Sequence, residues 1–299
     1  MSPTNEPRLT KAEKTTQARE NARRIREAQA KKEKRNGWLI RGGVLVAAVA
    51  IVVVVALLLL QANRSAAPIA DSGPVPAHAN ANGGVVLGKN NTVVAPPAST
   101  PATVNLAGVP TSSPTPTAAG AAVVPPGIAA SAAGKPVQIV AYVDFICPIC
   151  KNFEDQNGDA LAKWRDSGKA TVEYRDLGFL DRSSTTNYSS RAANAAACVV
   201  NSSPEKYGDY FTKLFSVQPP ENSAGLKNDE LKQFATDVGA KDISTCVDEG
   251  TFRPYVKVIS DEAQAYGITG TPSVFVDGKK WDGSGDFQAF AQKIIDAKK

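Results

Sequence analysis

Residues 137–153 read VQIVAYVDFICPICKNF and combine an apolar run with two closely spaced cysteines. Its first nine residues are mostly β-branched or aromatic, which predicts a buried β-strand. Cys147 and Cys150 follow at once, with Pro148 between them. Beyond the second cysteine, apolar residues recur at three- and four-residue steps, a spacing that predicts a helix beginning at the cysteine motif.

The position of the two cysteines between a strand and a helix suits redox chemistry. At the N-terminus of a helix, unpaired N–H groups and the helix dipole stabilise a thiolate, here at Cys147. Pro148 fits the first helical turn, where its missing N–H costs nothing. Cys150 lies one turn further along and can close a small disulfide with Cys147. The motif therefore predicts thiol–disulfide exchange.

Other uses of these cysteines fit the sequence less well. A zinc site normally needs a second ligand pair at short spacing, whereas Cys198 and Cys246 stand apart. The chain has one histidine, His78, which argues against a cysteine–histidine nucleophile and against a histidine-rich metal site. A purely structural bridge between Cys147 and Cys150 would close a very short loop and stabilise little. We therefore expect neither a metal ion nor a cofactor.

The chain after the motif continues with strand and helix signals. The sequence ATVEYRDL at 170–177 predicts a second strand, and 185–267 has helical character. Residues 273–281 predict a β-hairpin, and the apolar spacing from Phe287 onward predicts a closing helix. This order predicts a single α/β domain over residues 135–299.

Two motifs resemble the DsbA-like branch of the thioredoxin superfamily. Residues 144–153, DFICPICKNF, are similar to its D-F-x-C-P-x-C-x-x-F signature. Residues 267–278, GITGTPSVFVDG, are similar to its G-T-P-x-x-x-x-x-G segment. The resemblance implies a thioredoxin fold with a helical insertion, in which a cis peptide bond at Pro272 faces Cys147. It also implies that Thr271 offers backbone groups to an extended substrate chain.

The sequence departs from this family at two positions. The buried acid that members often carry six residues before the first cysteine is Ala141 here. Asp144 either replaces that acid or caps the helix, and we expect the cap. Ile149 stands where strongly oxidising members have histidine. We therefore expect the pKa of Cys147 between those of DsbA, about 3.5, and thioredoxin, about 7, and a milder oxidant.

Cys198 and Cys246 both lie inside the helical segment, 48 residues apart. In an oxidising compartment we expect them to form a structural disulfide, for which loop entropy gives roughly 4 kcal/mol. Free buried thiols are the alternative.

The N-terminal third of the chain points to a membrane. Residues 1–41 carry twelve lysines and arginines against five acids and form a basic tail. The uncharged run 42–60 that follows predicts a transmembrane helix at 42–61, because its nineteen residues span about 28 Å. The positive-inside rule places the N-terminus in the cytoplasm and the rest of this single-pass chain outside. A signal peptide cleaved near Ser65 is the alternative and gives the same location.

Residues 62–134 are rich in alanine and proline and poor in charge, which predicts a disordered extracytoplasmic linker. The domain that follows, 135–299, carries a net charge of −3. Such a charge gives no reason to expect nucleic-acid binding.

The sequence therefore predicts an enzyme that donates disulfides from Cys147 and Cys150 to reduced or misfolded secreted polypeptides. A membrane electron acceptor or donor is its expected redox partner, and we expect a monomer. Reduction or isomerisation at the same cysteines is the alternative within this class. A tethered, non-catalytic module that binds partners through Thr271 and Pro272 is the alternative outside it.

Overall fold

The computed structural model describes isolated positions between 19 and 32 together with residues 46–56, 69–98, 100–111 and 124–298. These residues fall into two units, one ending at Arg64 and one beginning at Ser65.

In the first unit, residues 46–56 are helical and their side chains are exposed. No helix within the described part of the chain is both long enough and apolar enough to cross a bilayer. Most of the predicted basic tail, 1–41, lies outside the described residues, as do 42–45 and 57–61 of the predicted membrane helix, 42–61.

The second unit is built on a mixed β-sheet. Its strands are β1 (Ser72–Pro74), β2 (Val85–Leu87), β3 (Thr103–Asn105), β4 (Val137–Val143), β5 (Ala170–Asp176), β6 (Ser273–Val276) and β7 (Lys279–Lys280). Five of them form one sheet in the order β2-β5-β4-β6-β7, in which β4 and β5 are parallel and the other pairs antiparallel. The two predicted strands and the predicted hairpin are confirmed.

The helices of the second unit are α1 (Pro148–Asp166), α2 (Tyr188–Ser202), α3 (Tyr207–Ser216), α4 (Asn228–Asp237), α5 (Ser244–Glu249), α6 (Arg253–Ala265) and α7 (Phe287–Ala297). Helices α2 to α6 lie between β5 and β6 in the chain and form the predicted insertion. Helix α1 buries Phe153 and Leu161 on one face, as their spacing requires. Phe153 also packs edge-on against Phe287 of α7, with ring centroids 4.9 Å apart.

The prediction of a disordered linker over 62–134 is wrong for much of that segment. Strand β2 pairs antiparallel with β5, where Val85 faces Tyr174 and Leu87 faces Val172. Val85 and Leu87 are buried in the core of the domain. The domain therefore begins well before Lys135, and residues 62–68, 99 and 112–123 lie outside the described residues.

A buried ion pair on β5 explains why this N-terminal segment packs closely against the sheet. On β5, Arg175 donates to Glu173 Oε1 at 2.7 Å, and both side chains are almost fully buried. Arg175 also donates to the carbonyl of Pro126 at 2.9 Å, so the segment supplies a partner for the buried cation. Gly84 lies directly over the Glu173 carboxylate. The low-complexity composition of the segment gives no local signal for these contacts. The segment becomes ordered only by packing against the edge of the sheet.

Gly84→Ala tests whether this segment is part of the folded domain. The added methyl would overlap the Glu173 side chain, which the bond to Arg175 holds in place. We expect the free energy of unfolding to fall by about 1–3 kcal/mol in denaturant titration. Gly108→Ala in the same segment is the matched control, because its methyl meets nothing within 4 Å. Equal stability of the two variants would contradict this packing.

Candidate active site

The redox motif lies where β4 ends and α1 begins. Cys147 is the N-cap residue of α1, and Pro148 occupies the first helical turn as the sequence predicts. The backbone N–H of Cys147 donates to the carbonyl of Asp144 at 3.0 Å, which closes the turn between strand and helix. The backbone N–H of Cys150 donates to Cys147 Sγ at 3.4 Å. The sulfur therefore takes the place that a serine or aspartate oxygen takes in most helix caps.

The loop before β6 lies opposite the first cysteine. The peptide bond between Thr271 and Pro272 is cis, as the family resemblance implies. The thiol of Cys147 donates to the carbonyl of Thr271 at 3.3 Å. The structure thus brings together two motifs that stand 124 residues apart in the chain.

The two thiols, which are not bonded to each other, differ in acidity. A hydrogen bond from the Cys150 side chain lowers the pKa of Cys147 from its ordinary value to about 6, with the Thr271 side chain and the N–H groups of Cys150 and Ile149 contributing. These donors outweigh burial, which acts in the opposite direction. Burial and the neighbouring Cys147 raise the pKa of Cys150 well above its ordinary value. At neutral pH the reduced site therefore holds a thiolate at Cys147 and a thiol at Cys150.

Exposure differs sharply between neighbouring residues of the motif. Cys147 is only 4 % exposed, whereas Ile149 is 65 % exposed. An approaching polypeptide would therefore meet the Ile149 side chain beside the partly shielded sulfur.

Asp144 does not cap α1, so that expectation is wrong. Its carboxylate accepts backbone hydrogen bonds from Ile146 at 3.1 Å and from Leu180 at 2.9 Å. It is completely buried, and burial raises its pKa to about 7 against the effect of these donors. Asp144 lies three residues before the N-cap, and its side chain joins the turn before α1 to the loop after β5.

Sequence reasoning missed a second buried carboxyl near the motif. Glu154 follows Cys150 by one helical turn on α1 and accepts a hydrogen bond from the Tyr174 hydroxyl at 3.1 Å. Burial raises the pKa of Glu154 to about 7. Tyr174 is the β5 partner of Ala141, the position at which family members often carry an acid. The i, i+4 spacing from Cys150 was the available signal.

Sequence reasoning also missed Gln218, which follows α3. Its side-chain N–H groups donate to the carbonyls of Phe145 at 3.1 Å and Cys147 at 3.0 Å. No local pattern identifies this residue, because its partners are more than seventy positions away.

The other two cysteines form a disulfide that joins α2 to α5. The Cα atoms of Cys198 and Cys246 are 6.0 Å apart. The structure thus shows the expected bridge and not the alternative of two free thiols. The bridge lies within the helical insertion, separate from the redox motif.

Residues 129–297, just over half of the chain, match a family model described as thioredoxin. The chain belongs to the thioredoxin family. The matched residues include β4, the redox motif, the helical insertion and the loop with the cis proline.

Two relatives make the assignment more specific. Disulfide bond formation protein D of Bacillus subtilis is 28% identical over 167 residues, which cover 53% of this chain and 71% of that protein. The solved structure of reduced DsbG, a disulfide bond oxidoreductase from Mycobacterium tuberculosis, is 27% identical with a TM-score of 0.50. That superposition covers 58% of this chain and 85% of DsbG. The resemblance to the DsbA-like branch is confirmed.

The serine/threonine-protein kinase PknE of Mycobacterium tuberculosis is 31% identical over 168 residues. The match covers 53% of this chain but only 29% of the kinase. The chain therefore spans less than a third of that relative, and the kinase activity in its name is not assigned to this chain.

Alkylation of the reduced protein tests the acidity of the two thiols. Because the thiolate is the reactive form, we expect the rate at Cys147 to rise with pH and to reach half its maximum near pH 6. Cys150 should stay unreactive over the same range. Mass spectrometry of the labelled peptides separates the two sites.

Cys150→Ala is the matched variant for this experiment. It removes the largest contribution to the acidity of Cys147, so the half-maximum should move upward toward the ordinary pKa of a thiol. An unchanged profile in this variant would show that the Cys150 side chain does not stabilise the thiolate.

Proposed function

We propose that this protein is an extracytoplasmic thiol–disulfide oxidoreductase that donates disulfides to secreted polypeptides. The observation that carries the proposal is the asymmetry of the pair, an acidic Cys147 beside a buried, weakly acidic Cys150. A low thiol pKa favours the reduced state of the pair, and a pair that prefers to be reduced oxidises its substrates.

The reaction begins with the oxidised pair. A substrate thiolate attacks Cys147 Sγ, the bond between Cys147 and Cys150 breaks, and Cys150 leaves with the electron pair and takes up a proton. A second substrate thiolate then attacks the substrate sulfur of the mixed disulfide. Cys147 leaves as a thiolate, the substrate holds a new disulfide, and two electrons have passed to the protein.

The structure supports each half of this reaction. A leaving thiol with a low pKa leaves faster, so the acidity of Cys147 favours its release from the mixed disulfide. The Thr271-Pro272 segment lies against Cys147. We infer that it binds the extended substrate chain by backbone pairing, while Ile149 contacts an apolar substrate side chain.

The proposed location and partners follow from the sequence of the N-terminal region. A helix at 42–61 would anchor the chain in the cell membrane, with the basic residues of 1–41 in the cytoplasm. Each cycle leaves the pair reduced, so a membrane electron acceptor has to reoxidise it. An anchored monomer would remain close to such an acceptor.

The reduction potential of the Cys147–Cys150 pair tests the direction of electron flow. We expect a value of about −120 to −180 mV, in the range of known oxidants and isomerases, after equilibration with glutathione and alkylation. A value of about −270 mV, that of thioredoxin, would instead make the protein a reductase. The protein used should include residues 69–134, because the N-terminal segment is part of the folded domain.

Disulfide transfer to reduced, unfolded ribonuclease A tests the activity itself. We expect the oxidised protein to form substrate disulfides stoichiometrically, and Cys147→Ser to form none, because the attacked sulfur is absent. Cys150→Ser, which cannot form the internal disulfide, is the matched variant and should accumulate a mixed disulfide at Cys147 with an activated substrate thiol. Full function of Cys147→Ser in a loss-of-function strain would favour the non-catalytic binding module.

A further inference from the structure

The loop that follows α3 contacts the backbone of the redox motif directly. Gln218 Nε2 donates to the carbonyls of Phe145 and Cys147, at 3.1 and 3.0 Å. Both hydrogens of the carboxamide are used in this way. Because carbonyl oxygens accept and never donate, these contacts require the nitrogen of the amide, which sets its orientation. The helical insertion thus binds the backbone both before and after the side chain of Cys147.

Gln218 is itself held firmly. Its backbone N–H donates to the carbonyl of Phe215 at 3.3 Å, and Pro219 restricts its backbone from the other side. The ring of Phe215 packs against the ring of Phe145, with centroids 5.1 Å apart, and Phe211 packs on the same ring at 5.5 Å. Aromatic packing and hydrogen bonding therefore both fix the turn after α3 that carries Gln218.

The two carbonyls that Gln218 binds determine how Cys147 is presented. The carbonyl of Cys147 also accepts the first helical hydrogen bond, from the backbone N–H of Lys151 at 3.2 Å. The orientation of that peptide unit sets the direction of the N–H groups in the first turn, including the Cys150 N–H that donates to Sγ. The hydrogens of the amide also bring positive partial charge to the backbone beside the thiolate.

We propose that Gln218 is a positioning residue for the redox cysteine, whose carboxamide fixes the turn from Phe145 to Cys147 and thereby stabilises the Cys147 thiolate. The proposal rests on the proposed thiol–disulfide exchange at this site. It couples the helical insertion to the chemistry, since the conformation of the loop after α3 then sets how strongly the first thiol is ionised.

Two variants of Gln218 separate its hydrogen bonds from its bulk. Gln218→Met keeps the length of the side chain and removes both donors. Gln218→Glu also brings a carboxylate against two carbonyl oxygens and toward the thiolate. At a pH below the wild-type half-point, we expect the alkylation rate of Cys147 to fall about threefold to tenfold in Gln218→Met, the equilibrium effect of about one hydrogen bond. The fall should be larger in Gln218→Glu, and the redox equilibrium with glutathione should shift in the same order toward the oxidised protein.

Gln233→Met is the matched control, because Gln233 lies in the same insertion and its amide bonds to Asp237 on an exposed helix face. It should leave the Cys147 profile unchanged. Wild-type profiles in both Gln218 variants, or an equal shift in Gln233→Met, would overturn the proposal. Thermal unfolding of each variant confirms that the fold is intact. Failure of the wild-type protein to transfer disulfides would instead reject the proposed function. The alkylation profiles of the Gln218 variants would still decide whether Gln218 affects the pKa of Cys147.

Discussion

The contact on which the rest of the site depends is the one between the first turn of α1 and the sulfur of Cys147. The Cys150 N–H donates to this sulfur, and the sulfur serves as the cap of the helix. A thiolate accepts such bonds better than a neutral thiol, so the cap favours the charged form. Strand β4 delivers Cys147 to this position, and the loop with Thr271 lies against its sulfur.

Asp144 and Cys147 show how burial and hydrogen bonding compete over three residues. Asp144 accepts two backbone hydrogen bonds, yet complete burial wins and raises its pKa to about 7. For Cys147 the hydrogen-bond donors have a larger effect than burial and lower its pKa to about 6. The consequences for stability have opposite signs. The contribution of Asp144 is fully present below the ordinary pKa of a carboxyl and is lost as pH rises toward 7, whereas that of Cys147 grows as pH rises from 6.

The sequence predicted those parts of the structure whose signals are local. The strand before Cys147, the helix after it and the hairpin following Pro272 depend on neighbouring residues, and all three are present. The N-terminal segment was missed because Val85 and Leu87 fold only against β5, which lies far away in the chain. Gln218 was missed for the same reason. No periodicity marks a residue whose partners are brought near by tertiary packing alone.

The free energies of unfolding of the reduced and oxidised forms, compared across pH, measure how strongly the folded, reduced protein stabilises the Cys147 thiolate. A folded pKa of about 6 against an unfolded value of about 9 stabilises the reduced form by about 1 kcal/mol at pH 7. This contribution is complete above pH 9 and is lost as pH falls through 6. We therefore predict that the stability of the reduced form relative to the oxidised form increases with pH across this range. A difference that does not change with pH would show that the fold does not stabilise the Cys147 thiolate.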